Sequence, residues 1–302
     1  MFVYHENVSG DGSFLQQGDV YALDEANKIA VVSDSPIREL TRSGLRKYPQ
    51  DDHGFEAGEV FCNTMLNSLL RFVQDGTIST TTFNSALVDA NKSIKVLNQS
   101  LNKTAKGYLT YDCAETVGMA AVQVGDSLIY GGLEDCYVFV LRGSSLENVE
   151  KVDYQIMKAS KYLDSLVAAG QYQKEYPAEL KASLKPEAFW EPIWCNVLRN
   201  NNDIHDENDN RVGWGCFTGE EEAESFFQVH QIQLEPQDHI FVLSDGMIPI
   251  LNHKDFLEWF IGNWQSTFEF QKKMREKVIS IWGDNNTITN KEKTLIYWKN
   301  LI

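Results

Sequence analysis

Two aspartates stand where an apolar strand runs out. Asp34 follows Ile29-Ala30-Val31-Val32-Ser33, and Asp245 follows Ile240-Phe241-Val242-Leu243-Ser244. An acid at the end of a buried strand is held by a rigid element yet opens into a loop, where binding and catalytic groups collect. Carboxylate oxygens suit hard divalent cations, which take oxygen ligands. Each aspartate also has a plainer reading as a turn or capping acid.

Other chemistries find little support. There is no Gly-rich phosphate loop, and the histidines lack a nucleophile-bearing motif. His53 reads as a surface residue. Cys62, Cys113, Cys136, Cys195 and Cys216 form no CxxC pair and no zinc spacing, so they read as reduced thiols packed as small hydrophobes. The run Asn200 to Asn210 carries Asp203, His205, Asp206, Glu207 and Asp209. It lacks the turn glycine and closing glutamate of a calcium loop, and reads as solvated.

The formal net charge of −16 repels phosphate backbones and anionic lipid, which argues against a nucleic-acid or membrane-surface role. No stretch approaches the ~18 apolar residues of a membrane span. Met1 to Gly12 has neither a basic start nor a secretory apolar run. The chain reads as cytoplasmic, with a single domain over 1–302.

The elements that must position the acids follow from periodicity. Val20 to Leu23 and Ile29 to Val32 predict a hairpin around the turn Asp24 to Asn27. Apolar residues at helical spacing predict helices over Phe55–Val73 and Phe83–Leu101. Ala120–Val124, Leu128–Gly131 and Tyr137–Leu141 read as successive antiparallel strands, and residues 155 to 190 as mostly helical. Phe227–Leu234, His239–Leu243 and Leu295–Trp298 read as strands, with helices over Asp255–Asn263 and Phe268–Trp282. Strands, then a helix pair, then strands, with no regular βαβ alternation, predict an α+β architecture.

Two segments resemble the type 2C metal-dependent serine/threonine phosphatases, in their bacterial form. One is Gly18-Asp19-Val20-Tyr21-Ala22-Leu23 with Ile29 to Ser35. The other is Gly213-Trp214-Gly215-Cys216-Phe217-Thr218-Gly219-Glu220 followed by Leu234 to Gly246, which is similar to the family's GYGVLTGE, LxPGD and SDG block. Weaker matches at Leu128 to Arg142 and Lys291 to Trp298 extend the resemblance from about residue 18 to 298. It implies a β-sandwich of two antiparallel sheets flanked by helix pairs.

The resemblance also implies a site for Mg²⁺ or Mn²⁺. In such sites two ions ~3.5–4 Å apart activate water and clamp the phosphoryl group. Carried over, Asp34 is the bridging acid, Ser35 supplies a backbone carbonyl where the family has Gly, and Asp245 is the SDG acid. The family's opening Glu falls on Gly18, leaving Asp19 beside it. The auxiliary acid falls on Asp135. Asp126, in the literal Gly125-Asp126-Ser127, reads as a hairpin turn residue.

The family's last metal-binding Asp falls on Lys291. A lysine ~4 Å from a divalent ion, at an effective dielectric of ~20, costs about 8 kcal/mol before screening. Lys291 either leaves the site or stands in for an ion by pairing with Asp34 and Asp245. Glu292 is the nearest acid, and strand alternation turns it to the opposite face from Lys291.

Two functions therefore stay open, with one ion or none bound. One is a phosphatase of phosphoserine and phosphothreonine with impaired metal-dependent hydrolysis. The other is an inactive pseudophosphatase serving as a binding or regulatory module. In either case the partner is a phosphoprotein, a protein kinase among the candidates.

Overall fold

A computed structural model of the protein describes residues 1–6, 18–35, 53–103, 113–133, 135–143, 145–148, 198–253, 255–264, 267–283 and 292–301, with positions 159, 161, 162 and 165. Most of the segment 155–190, expected to be helical, lies outside the described residues, as do Lys291 and Cys195.

Among the described residues, ten strands form two antiparallel sheets. The first has the order β2 (Val20–Asp24), β3 (Ile29–Asp34), β4 (Val117–Val124), β5 (Ser127–Leu133), β8 (Gln228–Gln233). The second has the order β1 (Phe2–Glu6), β10 (Lys293–Lys299), β9 (His239–Ser244), β6 (Cys136–Arg142), β7 (Ser145–Asn148). The expected α+β sandwich is present.

Each sheet is covered on its outer face. Helices α1 (Gly54–Gln74) and α2 (Thr80–Ser100) lie on the first sheet. There Phe61, Met65, Leu69, Phe83, Leu87 and Ile94 meet Ile29, Val31 and Ile129. Ser79 starts α2 with a capping box shared with Thr82, a device worth about 1 kcal/mol. On the second sheet α3 (Ile248–Leu251), α4 (Phe256–Asn263) and α5 (Phe268–Gly283) bring Phe256, Phe260, Phe270 and Met274 onto Phe241, Leu295 and Tyr297. The inner layer joins Ala30, Val32 and Met119 to Val138, Val242 and Ile296. Because both faces are buried, β3, β4, β6, β9 and β10 read as apolar runs rather than alternating strands.

Two expectations change. The strands β4, β5 and β6 do not form one meander: β5 pairs with β4 and β8, whereas β6 crosses to the other sheet and pairs with β9 and β7. The crossing occurs at Asp135, whose φ of 75° turns the chain out of the first sheet. The N-terminal strand β1 was not anticipated. Its five residues include His5 and Glu6, and its existence depends on pairing with β10, 289 positions away at His5↔Thr294.

The sheets are tied at both ends by polar side chains. At one end Trp298 Nε1 donates to Gln123 Oε1 at 2.7 Å, and Gln123 Nε2 donates to Asn300 Oδ1 at 2.9 Å. At the other end lies the acid cluster. No helix among the described residues is long and apolar enough to cross a membrane.

Candidate metal centre

Asp34, Asp135 and Asp245 arrive from three strand ends, and one carboxylate oxygen of each lies within 4.8 Å of the other two. All three side chains are half-buried. Asp34 closes β3, Asp135 precedes β6, and Asp245 follows β9 at the start of a short 3₁₀ turn to Met247. Asp135 is non-glycine with positive φ, the kind of strained position that surrounding structure must hold. Asp126 lies instead on the exposed β4–β5 turn.

Backbone contacts set the frame. Ser35 is buried, its amide donates to the Gly18 carbonyl at 3.2 Å, and its hydroxyl donates to Thr116 Oγ1 at 2.9 Å. Thr116 Oγ1 in turn lies 3.0 Å from the Asp34 carbonyl oxygen. Ser35 is not among the residues with positive φ, so serine replaces glycine there without backbone strain. Gly246 is different: a Cβ on it would stand 1.8 Å from the Glu292 carbonyl oxygen. Glycine there lets the start of β10 approach the turn that carries Asp245.

Asp19 is outside the three-acid group and is buried. Its Oδ2 accepts from Ser244 Oγ at 2.6 Å and from Thr294 Oγ1 at 2.8 Å. Thr294 also donates its amide to Ser244 Oγ at 3.0 Å, and His5 Nδ1 lies 2.9 Å from Thr294 Oγ1. Burial raises the Asp19 carboxyl to about 6; the two hydroxyls and then Lys293 pull it down, and Asp135 pushes it up.

Glu292, expected on the opposite face from Lys291, and Lys293, to which sequence reading gave no role, stand at the start of β10. Glu292 Oε2 accepts from the Gly18 and Asp19 amides, each at 2.5 Å. Its Oε1 is buried with no hydrogen-bond partner among the described residues. Burial raises the Glu292 carboxyl to about 7, offset by those amides and by Lys293. A glutamate carboxylate thus lies against the backbone of Gly18, the position where the resemblance expects a glutamate side chain. The signal was available: Glu292 shares alternation with Thr294, which faces Asp19.

Lys293 is fully buried. In the ladder it faces Glu6 of β1. The β10–β9 ladder ends at Leu295↔Leu243 and the β6–β9 ladder at Cys136↔Ser244, so Asp135 and Asp245 lie just past the paired residues. Beneath the cluster Cys136 is buried, and burial together with the charges of Asp34, Asp19 and Asp135 pushes its thiol well up. It is a packing residue, not a nucleophile.

The loop around Asp203 to Asn210 forms no such group. Asp206 Oδ1 accepts from the Asn208 and Asn210 amides at 2.9 Å each, a self-contained turn.

No protein-family model and no curated protein sequence matches this chain. Solved structures do. The catalytic domain of the serine/threonine protein phosphatase PstP, in complex with two manganese ions, is 14% identical with a TM-score of 0.56, covering 98% of this chain and 95% of that one. The Mycobacterium tuberculosis phosphatase PstP/Ppp is 12% identical with a TM-score of 0.57, covering 99% and 97%. PppA, a regulatory component of the type VI secretion system in Pseudomonas aeruginosa, is 12% identical with a TM-score of 0.53, covering 98% and 96%.

Proposed function

From a chain with the fold of the type 2C serine/threonine phosphatases, we infer a protein that acts on or binds phosphoproteins and holds Mg²⁺ or Mn²⁺ at Asp34, Asp135 and Asp245. The observation that carries this is the convergence of the three carboxylates within 4.8 Å. The donor set is all oxygen, which fits a hard divalent cation. The Ser35 carbonyl is the neutral ligand the resemblance adds. When bound, such an ion neutralises charge on phosphoryl oxygens and lowers the pKa of a bound water.

The remaining contributions come from this chain. Thr116 and the Gly18 carbonyl fix the Asp34–Ser35 turn. Asp19, held by Ser244 and Thr294, locks the two sheets together under the site, so the acids keep their spacing. Asp19 also remains a candidate ligand, through water or through its other oxygen. The partner is a phosphoprotein, a protein kinase among the candidates, and the compartment is the cytoplasm.

The second reading is a pseudophosphatase, favoured by two departures. Gly18 offers no side chain where a ligand is expected, and the fully buried Lys293 puts a cation beside the acids. Calorimetric titration with MnCl₂, followed by hydrolysis of p-nitrophenyl phosphate and of a phosphothreonine peptide, separates the readings. One bound ion with slow turnover supports an impaired phosphatase. One bound ion with no turnover, alongside peptide binding, supports the inactive module. No ion at all removes the metal site.

A further inference from the structure

Glu292 is not one of the three converging acids, yet it is joined to the turns that carry two of them. Its backbone carbonyl lies against the Asp245 turn, where a Cβ on Gly246 would stand 1.8 Å from the oxygen. Its side chain reaches the lead-in to β2: Oε2 accepts from the Gly18 amide and from the Asp19 amide, each at 2.5 Å. The Gly18 carbonyl accepts in turn from the Ser35 amide at 3.2 Å. A short chain of contacts therefore runs from the Asp245 turn, through one residue, to the peptide that follows Asp34.

The other side of the Asp34–Ser35 turn is fixed separately. Thr116 Oγ1 donates to the Asp34 carbonyl at 3.0 Å and accepts from the Ser35 hydroxyl at 2.9 Å. What remains to be set is the distance of this turn from Asp245. Hydrogen bonds from backbone amides to a carboxylate are short and strong, and two of them meet on one oxygen of Glu292. Its other oxygen, Oε1, is buried with no hydrogen-bond partner among the described residues, so the carboxylate is held through Oε2.

We propose that Glu292 is the positioning residue of this metal centre: its backbone and its carboxylate together fix the separation of the Asp34 and Asp245 turns, and it does so as a hydrogen-bond acceptor rather than as a ligand. This rests on the reading of the three aspartates as a divalent-ion site. A centre braced in this way is spaced before the ion arrives, so the ion does not have to draw the two turns together.

Two variants of the full chain separate reach from charge. Glu292→Gln keeps the side-chain length and an acceptor oxygen, and its amide nitrogen takes the place of the unpartnered Oε1. Glu292→Asp keeps the charge and draws the carboxylate back by one methylene, away from the two amides. Mn²⁺ affinity is measured by calorimetry at pH 8, at a temperature where thermal melting shows each protein to be folded. Glu292→Gln is expected to stay near wild type, and Glu292→Asp to bind at least about tenfold more weakly, the loss usual for groups that orient metal ligands. The reverse order would make Glu292 a charge or a ligand and overturn the proposal, as would equal effects or none in both variants. Amide hydrogen exchange by NMR in EDTA supplies a readout without metal. The Gly18, Asp19 and Ser35 amides should exchange faster in Glu292→Asp and as in wild type in Glu292→Gln. An unchanged Ser35 amide in Glu292→Asp would overturn the link to the Asp34 turn. A wild type that takes no Mn²⁺ would overturn the metal-site reading instead, and the exchange pattern then decides alone whether Glu292 braces the two turns.

Discussion

Asp19 leads into one sheet and Ser244 belongs to the other, and the Ser244 hydroxyl donates to Asp19 Oδ2 at 2.6 Å. Asp19 immediately precedes β2 at the edge of one sheet, while Ser244 closes β9 in the middle of the other. The bond therefore sets the separation of the sheets directly under the three-acid group. Ser244→Ala removes one of two hydroxyls on a buried carboxylate and also an acceptor for the Thr294 amide. It is expected to cost about 1.5–3 kcal/mol, the range for a hydrogen bond to a charged group. Urea unfolding at pH 8, with Asp19 ionised, measures it.

Asp135 and Asp126 offer a matched pair for the metal reading. Asn tolerates positive φ nearly as well as Asp, so Asp135→Asn removes a charge without straining the turn at φ 75°. Its Mn²⁺ affinity is expected to fall at least tenfold. Asp126→Asn, on the exposed turn, should stay within twofold of wild type. Calorimetry of both variants checks this, and equal effects would show that the two acids act only through overall charge.

Gly246→Ala tests the approach of β10. The added methyl meets the Glu292 carbonyl at 1.8 Å, a clash with backbone that no rotamer relieves. Overpacking of this kind costs about 3 kcal/mol. Because Asp245 adjoins the displaced turn, Mn²⁺ affinity should fall together with the urea midpoint. Gly76→Ala, at a position with open space around it but a φ of 65°, should cost stability alone.

The stability of the second sheet should weaken in acid through His239. Burial lowers its pKa, with the Lys299 charge in the same direction and Asp238 opposing. Its Nδ1 lies 2.6 Å from the Tyr297 hydroxyl, on a residue packed against Phe241 and Phe260. The folded state thus binds fewer protons than the unfolded chain just below pH 6.5. That stability is present above pH 6.5 and is lost as pH falls toward and through the lower folded value. The drop in urea midpoint from pH 7.5 to pH 5.5 is expected to shrink in His239→Gln.

Local pattern carried much of this protein. The apolar stripes of α1 and α2, the hairpin before Asp34 and the apolar run before Asp245 are readable because each depends on neighbours within a few turns or one strand. Strand ends are local features too, so Asp34 and Asp245 stood out. The family resemblance with a strand count put the auxiliary acid at Asp135 rather than Asp126, and the same count missed that β6 leaves the first sheet. What the tertiary structure alone decided is which acids come together. Asp34, Asp135 and Asp245 stand at three strand ends scattered along the chain, and no window of sequence contains them. Their convergence follows from the register of β6 on β9 and from the packing of the two sheets, which are set by burying three apolar layers at once. The sequence placed a cation at Lys291, which lies outside the described residues, and burial of Lys293 two positions later became visible only in the folded chain. A charge's consequences depend on what lies across the sheet and on how much water reaches it, and both are fixed only when the layers close.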